Sequence, residues 1–292
     1  MRFALCLLAV LGLSGGESLV AQARTRLAPT DLVTRAKPSL MSGRYRVMVL
    51  GAHVRGETVD DPLQLDGKRD EIYFAARVQQ FDRRDGQRLG SILARTAVMG
   101  DVNGHPSRVK AGTASAQGGI RSGDRVPGVP DVGAYVAQPT SSLLPLLVWE
   151  GELRDGIDVL LVQPEVWEWD GGASAFNTWV SRTDELTLAD PPVQQLLAAG
   201  QLTLTRRHTF DIGRHGPGID RPIGALEHAV GLALWEQSLV VLTREVVEAA
   251  YRAGAASGRP PLTVEVRRMG DTRVTTYPDG DYFIYLRVER VP

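Results

Sequence analysis

Short segments rich in apolar and β-branched residues recur along the chain, and they predict a mainly β protein. Polar or Gly/Pro-containing stretches separate these segments, as is typical of strands joined by turns. Strands are predicted at residues 45–54, 71–78, 91–99, 143–151, 157–162, 201–210, 262–269 and 282–291. The segment at 157–162 (IDVLLV) is apolar at nearly every position, which indicates a strand buried on both faces.

Two stretches carry helix signals. Residues 190–192 (Asp-Pro-Pro) are typical of a helix start, and Gly200 follows where that helix would end. Residues 223–253 fit either one long helix or a strand at 239–242 followed by a separate helix capped by Thr243. The clustered β-branched residues favour the second interpretation.

Together these elements predict an antiparallel β-sandwich with two or three added helices, built as a single domain over residues 43–292. The last two strands are expected to form a hairpin, with its turn at 278–281 (Pro-Asp-Gly-Asp). Residues 100–142 contain eight glycines and four prolines, so we expect a long loop inserted into the domain there.

The N-terminus has the pattern of a secretory signal over residues 1–23: Arg2, an apolar run at 3–13, and a small-x-small site at 21–23. Eleven apolar residues are too few to cross a bilayer, which takes about 20. We therefore expect an exported protein, secreted or periplasmic, with a polar tail at 24–42 and no transmembrane segment in the mature chain.

Composition excludes several classes of function. The only cysteine lies inside the predicted signal, so a mature chain would have no disulfide, zinc–thiolate site or cysteine nucleophile. With 33 Lys and Arg against 34 Asp and Glu, the chain has no basic field to hold nucleic acid. Phosphate-binding GxGxxG and GxxxxGK motifs are absent from the sequence, which gives no support to a nucleotide-binding fold.

Two loops are rich in carboxylates. The first, at 60–71, lies between the first two predicted strands, and the second lies at 211–224. Calcium takes six to eight oxygen ligands, mostly carboxylates and carbonyls, so two such loops together provide the right chemistry. The alternative is that these are solvated turn carboxylates, because Asp favours turns for local hydrogen-bonding reasons.

The same segments resemble a known family. Residues 45–78 (strand, acidic loop, aromatic residue, strand) and residues 209–224 (TFDIGRHGPGIDRPIG) are similar to the calcium- and phospholipid-binding β-sandwich of protein-kinase-C type. The resemblance implies loops at one end of the sandwich that hold calcium, which then bridges to anionic lipid. The metal ligands that it implies are Asp66, Asp70, Asp211 and Asp220.

A second candidate surface lies at residues 164–172, which contain two tryptophans among carboxylates. On a strand, Glu165, Trp167 and Trp169 share one face and Glu168 lies on the other. The tryptophans are expected either to pack the core or to form a glycan-stacking surface. The two glutamates suggest the acid and base of a glycosidase, which needs two carboxylates across a cleft.

These observations favour an exported, non-enzymatic binding module with a calcium site between the two acidic loops. Two alternatives stay open from the sequence. One is a secreted polysaccharide hydrolase that uses Glu165 or Glu168 beside Trp167 and Trp169. The other is an envelope interaction protein that binds no small ligand.

Overall fold

A computed structural model describes most of the chain after the predicted signal and tail. The described residues are 41–58, 69–127, 144–182, 186–200, 203–214, 219–227, 232–257, 263–269 and 279–292. All of them belong to one compact unit, Arg35–Pro292. The predicted signal at 1–23 and nearly all of the tail at 24–42 lie outside these residues, so both stay predictions.

Fourteen strands and three helices form within the described part of the chain. The strands are β1 (Ser42–Thr58), β2 (Ile72–Asp82), β3 (Arg88–Arg95), β4 (Met99–Gly100), β5 (Val109–Lys110), β6 (Arg125–Val126), β7 (Leu146–Arg154), β8 (Asp158–Glu168), β9 (Thr203–Arg214), β10 (Arg221–Pro222), β11 (Ala225–Glu227), β12 (Leu232–Leu242), β13 (Thr263–Met269) and β14 (Asp279–Arg290). The helices are α1 (Ser174–Ser181), α2 (Pro191–Ala199) and α3 (Arg244–Ala256).

The strands form two sheets. The first has the order β13-β14-β1-β6, and β7 also pairs with β1. The second has the order β11-β12-β8-β2-β4-β5, with β3 on β2, β9 on β12 and β10 on β8. Strand pairs among the described residues are antiparallel except for the short parallel pair of β4 and β5.

The two sheets pack face to face around one main core. Val47 of β1 and Ile284 of β14 belong to the same buried cluster as Phe74 of β2 and Leu160 of β8. Burial of apolar faces from both sheets is what stabilises such a sandwich. The predicted mainly β fold with added helices is therefore confirmed.

Strand β8 is buried on both faces, as its apolar sequence predicts. All eleven of its residues are buried, because helices cover the side of the second sheet that faces away from the first. Trp167 packs there against Phe176 and Trp179 of α1, and Leu161 packs against Val193 of α2. The core interpretation of Trp167 is thus confirmed.

Both helix predictions are correct. Helix α2 follows Asp190, and Gly200 ends it in the left-handed conformation with φ of 58°. The segment at 223–253 is a strand followed by a helix: β12 ends at Leu242, and the Thr243 side chain accepts a hydrogen bond from the Val246 N–H at the start of α3.

The hairpin of β13 and β14 exists, but its predicted turn at 278–281 is wrong. Asp279 and Asp281 already belong to β14 and pair with Thr58 and Gly56 at the end of β1. Gly280 has φ of 83°, and a Cβ at this position would lie 3.1 Å from side-chain carbons of Thr58 and Ile223. The Asp-Gly signal therefore marks a close approach within a strand.

Two other boundaries differ from the predictions. The third strand is β3, from Arg88 to Arg95, and leaves the ladder at Thr96, whose hydroxyl accepts a hydrogen bond from the Phe74 N–H. The predicted insertion at 100–142 is described as far as residue 127. This part contains three short strand segments and sends Ile120 and Val126 into the core. No helix of the described residues is long and apolar enough to cross a membrane.

Candidate functional site

The four candidate metal ligands have different places in the structure. Asp66 lies outside the described residues. Asp211 lies in β9, where its backbone pairs with Leu234 of β12. Asp70 directly precedes β2, Asp220 directly precedes β10, and both of these side chains are almost fully buried.

Asp70 joins the two ends of the first acidic loop. Its Oδ2 accepts hydrogen bonds from the Thr58 N–H (3.0 Å) and from the Tyr282 hydroxyl (2.6 Å). Its Oδ1 lies 2.7 Å from the Thr58 hydroxyl oxygen. Because Thr58 ends β1 and Asp70 precedes β2, these bonds close the loop of residues 59–68 at its base.

The Thr58 hydroxyl also joins Asp70 to Glu168, the last residue of β8. Its oxygen lies 2.7 Å from Asp70 Oδ1 and 2.7 Å from Glu168 Oε1. A hydroxyl has one proton and donates to only one of these oxygens. The second contact is a hydrogen bond only when the other carboxyl carries a proton, so the geometry requires one protonated acid in this pair.

Asp70 is the carboxyl that fits the protonated state. Its pKa is raised well above the usual value, because it is buried and because the Glu168 carboxylate is close. Glu168 instead receives a charge-assisted bond from Arg221 Nε, 2.5 Å from its Oε2. We therefore place the proton on Asp70 and the negative charge on Glu168.

Asp220 fixes the second acidic segment in a similar way. Its Oδ1 accepts bonds from the N–H groups of Asp170 (3.2 Å) and Gly171 (3.1 Å), and its Oδ2 accepts one from the Tyr73 hydroxyl (3.0 Å). Burial, together with the Asp220 carboxylate, raises the pKa of Tyr73. This aspartate therefore ties the entry of β10 to the turn that follows β8.

The structure brings the two acidic segments to one end of the sandwich but places their two described carboxylates on opposite faces of a sheet. Asp70 bonds to Tyr282 of the first sheet and so lies between the sheets. Asp220 bonds to Tyr73, whose ring packs with Trp167 and Phe176 on the outer face. Both segments meet β8 near its end, at Glu168.

No group of three or more His, Cys, Asp or Glu side chains within the described residues is arranged to hold a metal ion. The oxygens of Asp70 and Asp220 accept hydrogen bonds from the protein instead. Neither Thr58 nor Tyr282 was predicted as part of the site. The sequence carries no signal for them, because both reach Asp70 through strand pairing and sheet packing.

The two candidate glutamates of the hydrolase alternative do not face a common cleft. Glu165 and Glu168 lie on opposite faces of β8, and both are buried. Trp169 is half-buried at the same end of the strand. The Arg108 guanidinium stacks over its ring at 4.3 Å, and the His105 ring lies 5.9 Å away.

Comparison with known proteins gives no further guidance to this site. No family model, no curated protein and no solved structure matches the chain.

Proposed function

We propose that the chain is an exported, non-enzymatic binding module whose ligand surface is the loop end of the sandwich. By loop end we mean the end of β8 at Glu168, together with the segments anchored there by Thr58, Asp70 and Asp220. One observation supports this most: hydrogen bonds from these residues attach two acidic segments, far apart in sequence, to the same end of one strand.

Calcium is the ligand that we propose for this surface. Calcium prefers carboxylate and carbonyl oxygens, and the first loop carries Asp60, Asp61 and Asp66 between its two anchors. Asp70 and Asp220 act as anchors in this proposal, because protein donors already bond to their oxygens. The contacts to the ion are assigned to Asp66 and Asp211.

The register of the second sheet supports the choice of Asp211. Strand β12 is antiparallel to β8, with Leu242 beside Leu160. Leu234 therefore lies in the half of β12 that runs toward the level of Glu168, and Asp211 pairs with Leu234. In this register Asp211 lies toward the loop end.

Isothermal titration of the purified protein with calcium tests the proposal. We expect saturable binding with a dissociation constant of about 10⁻⁴–10⁻³ M, the range of extracellular calcium modules. Asp66→Asn and Asp211→Asn are expected to weaken binding at least tenfold. Asp85→Asn is the matched control, because Asp85 lies exposed in the turn at the opposite end of β2 and is expected to leave binding unchanged.

Thermal unfolding gives an independent measurement of the same binding. At a calcium concentration 100 times the dissociation constant, mass action adds about 2.7 kcal/mol to the free energy of unfolding, and the melting temperature rises. If the wild type gives no binding heat and no rise in melting temperature, the calcium proposal is wrong. That result would favour the alternative of an interaction protein without a small ligand.

A further inference from the structure

Strand β3 lies at an edge of the second sheet. It pairs antiparallel with β2, and no other described strand pairs with it. An edge strand presents unpaired N–H and C=O groups, to which another extended chain can add as a new strand. The properties of β3 therefore decide whether this edge is protected or open.

The middle of β3 lacks the usual protection. Residues 89–94 (LGSILA) contain no charged residue and no proline, and the side chains of Ile92 and Leu93 are each 39% exposed. The edge strand of the first sheet, β7, carries Glu150 and Glu152 instead. Charged residues of that kind are what natural edge strands use against unwanted pairing.

Backbone geometry identifies which groups of β3 face outward. The N–H of Thr96, just after the strand, donates to the Phe74 carbonyl of β2. Because peptide groups alternate in direction along an antiparallel strand, residues 94 and 92 also bond toward β2. The backbone N–H and C=O groups of Ser91, Leu93 and Arg95 then face away from β2.

The charge pattern defines what the edge fits. Arg88 and Arg95 lie at the two ends of the uncharged stretch. The Arg95 guanidinium stacks 4.0 Å from the Tyr73 ring centroid, and it pairs with no carboxylate among the described residues. A strand that adds along this edge therefore meets apolar side chains in its middle and a positive charge near each end.

We propose that β3 is a docking edge for an extended peptide segment of a partner protein, apolar in its centre and acidic at both ends. The main-chain hydrogen bonds of Ser91, Leu93 and Arg95 bind the segment, and the two arginines select its charge. This surface is separate from the loop end, so it does not depend on the calcium proposal.

A second copy of this chain fits the edge less well. An antiparallel pair of β3 strands that covers residues 89–94 brings Arg95 of one copy next to Arg88 of the other, at both ends of the pair. Like charges in that position destabilise strand pairing. The partner segment therefore differs from β3 itself in the sign of its flanking charges.

Two peptides test the proposal by fluorescence anisotropy on the full protein. One has the sequence of residues 88–95 with Arg88→Asp and Arg95→Asp, and the control has the same sequence with both arginines. We expect the acidic peptide to bind at least tenfold more tightly at low salt. The difference is expected to shrink at 1 M salt, where the screening length is only about 3 Å.

Variants of the protein locate the bound peptide. Leu93→Pro removes an outward N–H and is expected to abolish binding of the acidic peptide, whereas Ser91→Ala keeps the backbone and is expected to bind normally. Amide hydrogen exchange of the wild type provides a second measurement, in case Leu93→Pro does not fold. The amides of residues 91, 93 and 95 are expected to gain protection when the acidic peptide is bound.

Three results would overturn the proposal. The first is equal binding of the acidic and basic peptides, and the second is binding without protection of the three outward amides. The third is a wild-type dimer in sedimentation that Leu93→Pro abolishes, because the occupant of the edge would then be a second copy of the chain.

Discussion

The pair of strands β2 and β8 ends on each side in two carboxyl groups, and the two ends stabilise them in different ways. At one end Asp82 lies directly opposite Asp158, and each has its own arginine. At the loop end Asp70 and Glu168 share the Thr58 hydroxyl, and only Glu168 is paired with an arginine.

The difference shows that the supply of local positive charge decides how a buried aspartate titrates. Arg84 bonds to Asp82 through its guanidinium and its N–H, and these bonds hold the pKa of Asp82 below its usual value. Asp70 is buried beside a second carboxylate, and its pKa is raised. Two aspartates on one pair of strands are thus stabilised in opposite protonation states.

The largest expected effect comes from removing a carboxylate at the arginine-rich end. Asp158 accepts three bonds from Arg154, at 2.7 Å from its N–H, 2.8 Å from Nε and 2.7 Å from the terminal nitrogen. Asp158→Ala leaves the guanidinium without its partner and is expected to lower the free energy of unfolding by about 3 kcal/mol. Urea denaturation measures this change.

The control for this prediction is Asp85→Ala, in the exposed turn beside the same end. Its carboxylate bonds only to the Gln87 N–H among the described residues, so its substitution is expected to change stability by less than about 0.5 kcal/mol. Equal effects of Asp158→Ala and Asp85→Ala would contradict the importance of the arginine pair.

The next largest effect is expected at the loop end, from the hydroxyl that joins the two acids. Thr58→Val keeps the shape of the side chain but removes the bond between Asp70 and Glu168. We expect a loss of about 2 kcal/mol in the same urea assay, because a hydrogen bond to a charged group is lost in a buried site. Thr58→Ser keeps the hydroxyl and is expected to lose clearly less; a similar loss in both variants would assign the effect to packing.

The smallest effect at a single pH, but the sharpest contrast between the two ends, is expected from amide substitutions. Asp70→Asn imitates the protonated acid, so at pH 4 it is expected to cost less than about 1 kcal/mol. Asp70 in the wild type stabilises the fold most below the pKa of the unfolded chain, near 4, and this contribution is lost as pH rises through the raised pKa. The variant is therefore expected to gain stability relative to the wild type as pH increases.

Asp82→Asn is the matched comparison at the other end, and its sign is opposite. The lowered pKa of Asp82 contributes stability above pH 4 that is lost as pH falls through that pKa. This variant is therefore expected to lose stability relative to the wild type as pH increases. Urea denaturation from pH 3 to 8 in calcium-free buffer measures both variants, and parallel curves for them would refute the assigned protonation states.

Much of the fold could be predicted from the sequence, because its signals are local. The apolar run at 157–162, the Asp-Pro-Pro helix start at 190–192 and the cap at Thr243 each depend on neighbouring residues, and each has its predicted structure. The Asp-Gly pair at 279–280 was misread as a turn. Pairing with β1 and close packing against Ile223 keep it in a strand, and neither contact is visible locally.

The candidate site divides in the same way. The sequence identified two acidic segments, and strand pairing attaches both to the end of β8. It did not identify the partners of Asp70: the Thr58 hydroxyl also contacts Glu168, 110 residues away, and Tyr282 lies 212 residues away from Asp70. It also grouped Asp70 with Asp220 as ligands of one ion, whereas the second sheet separates these two side chains.

By itself the sequence determined the strands, the helices and the short-range ion pairs, such as Asp82 with Arg84 and Arg154 with Asp158. Residues two to four positions apart are held close by the backbone in any fold that contains the turn or strand. Only the tertiary structure decided that a threonine hydroxyl lies between two acids, and which of them keeps its proton. Burial and the distance between two charges set a pKa, and both are known only after distant strands have packed together.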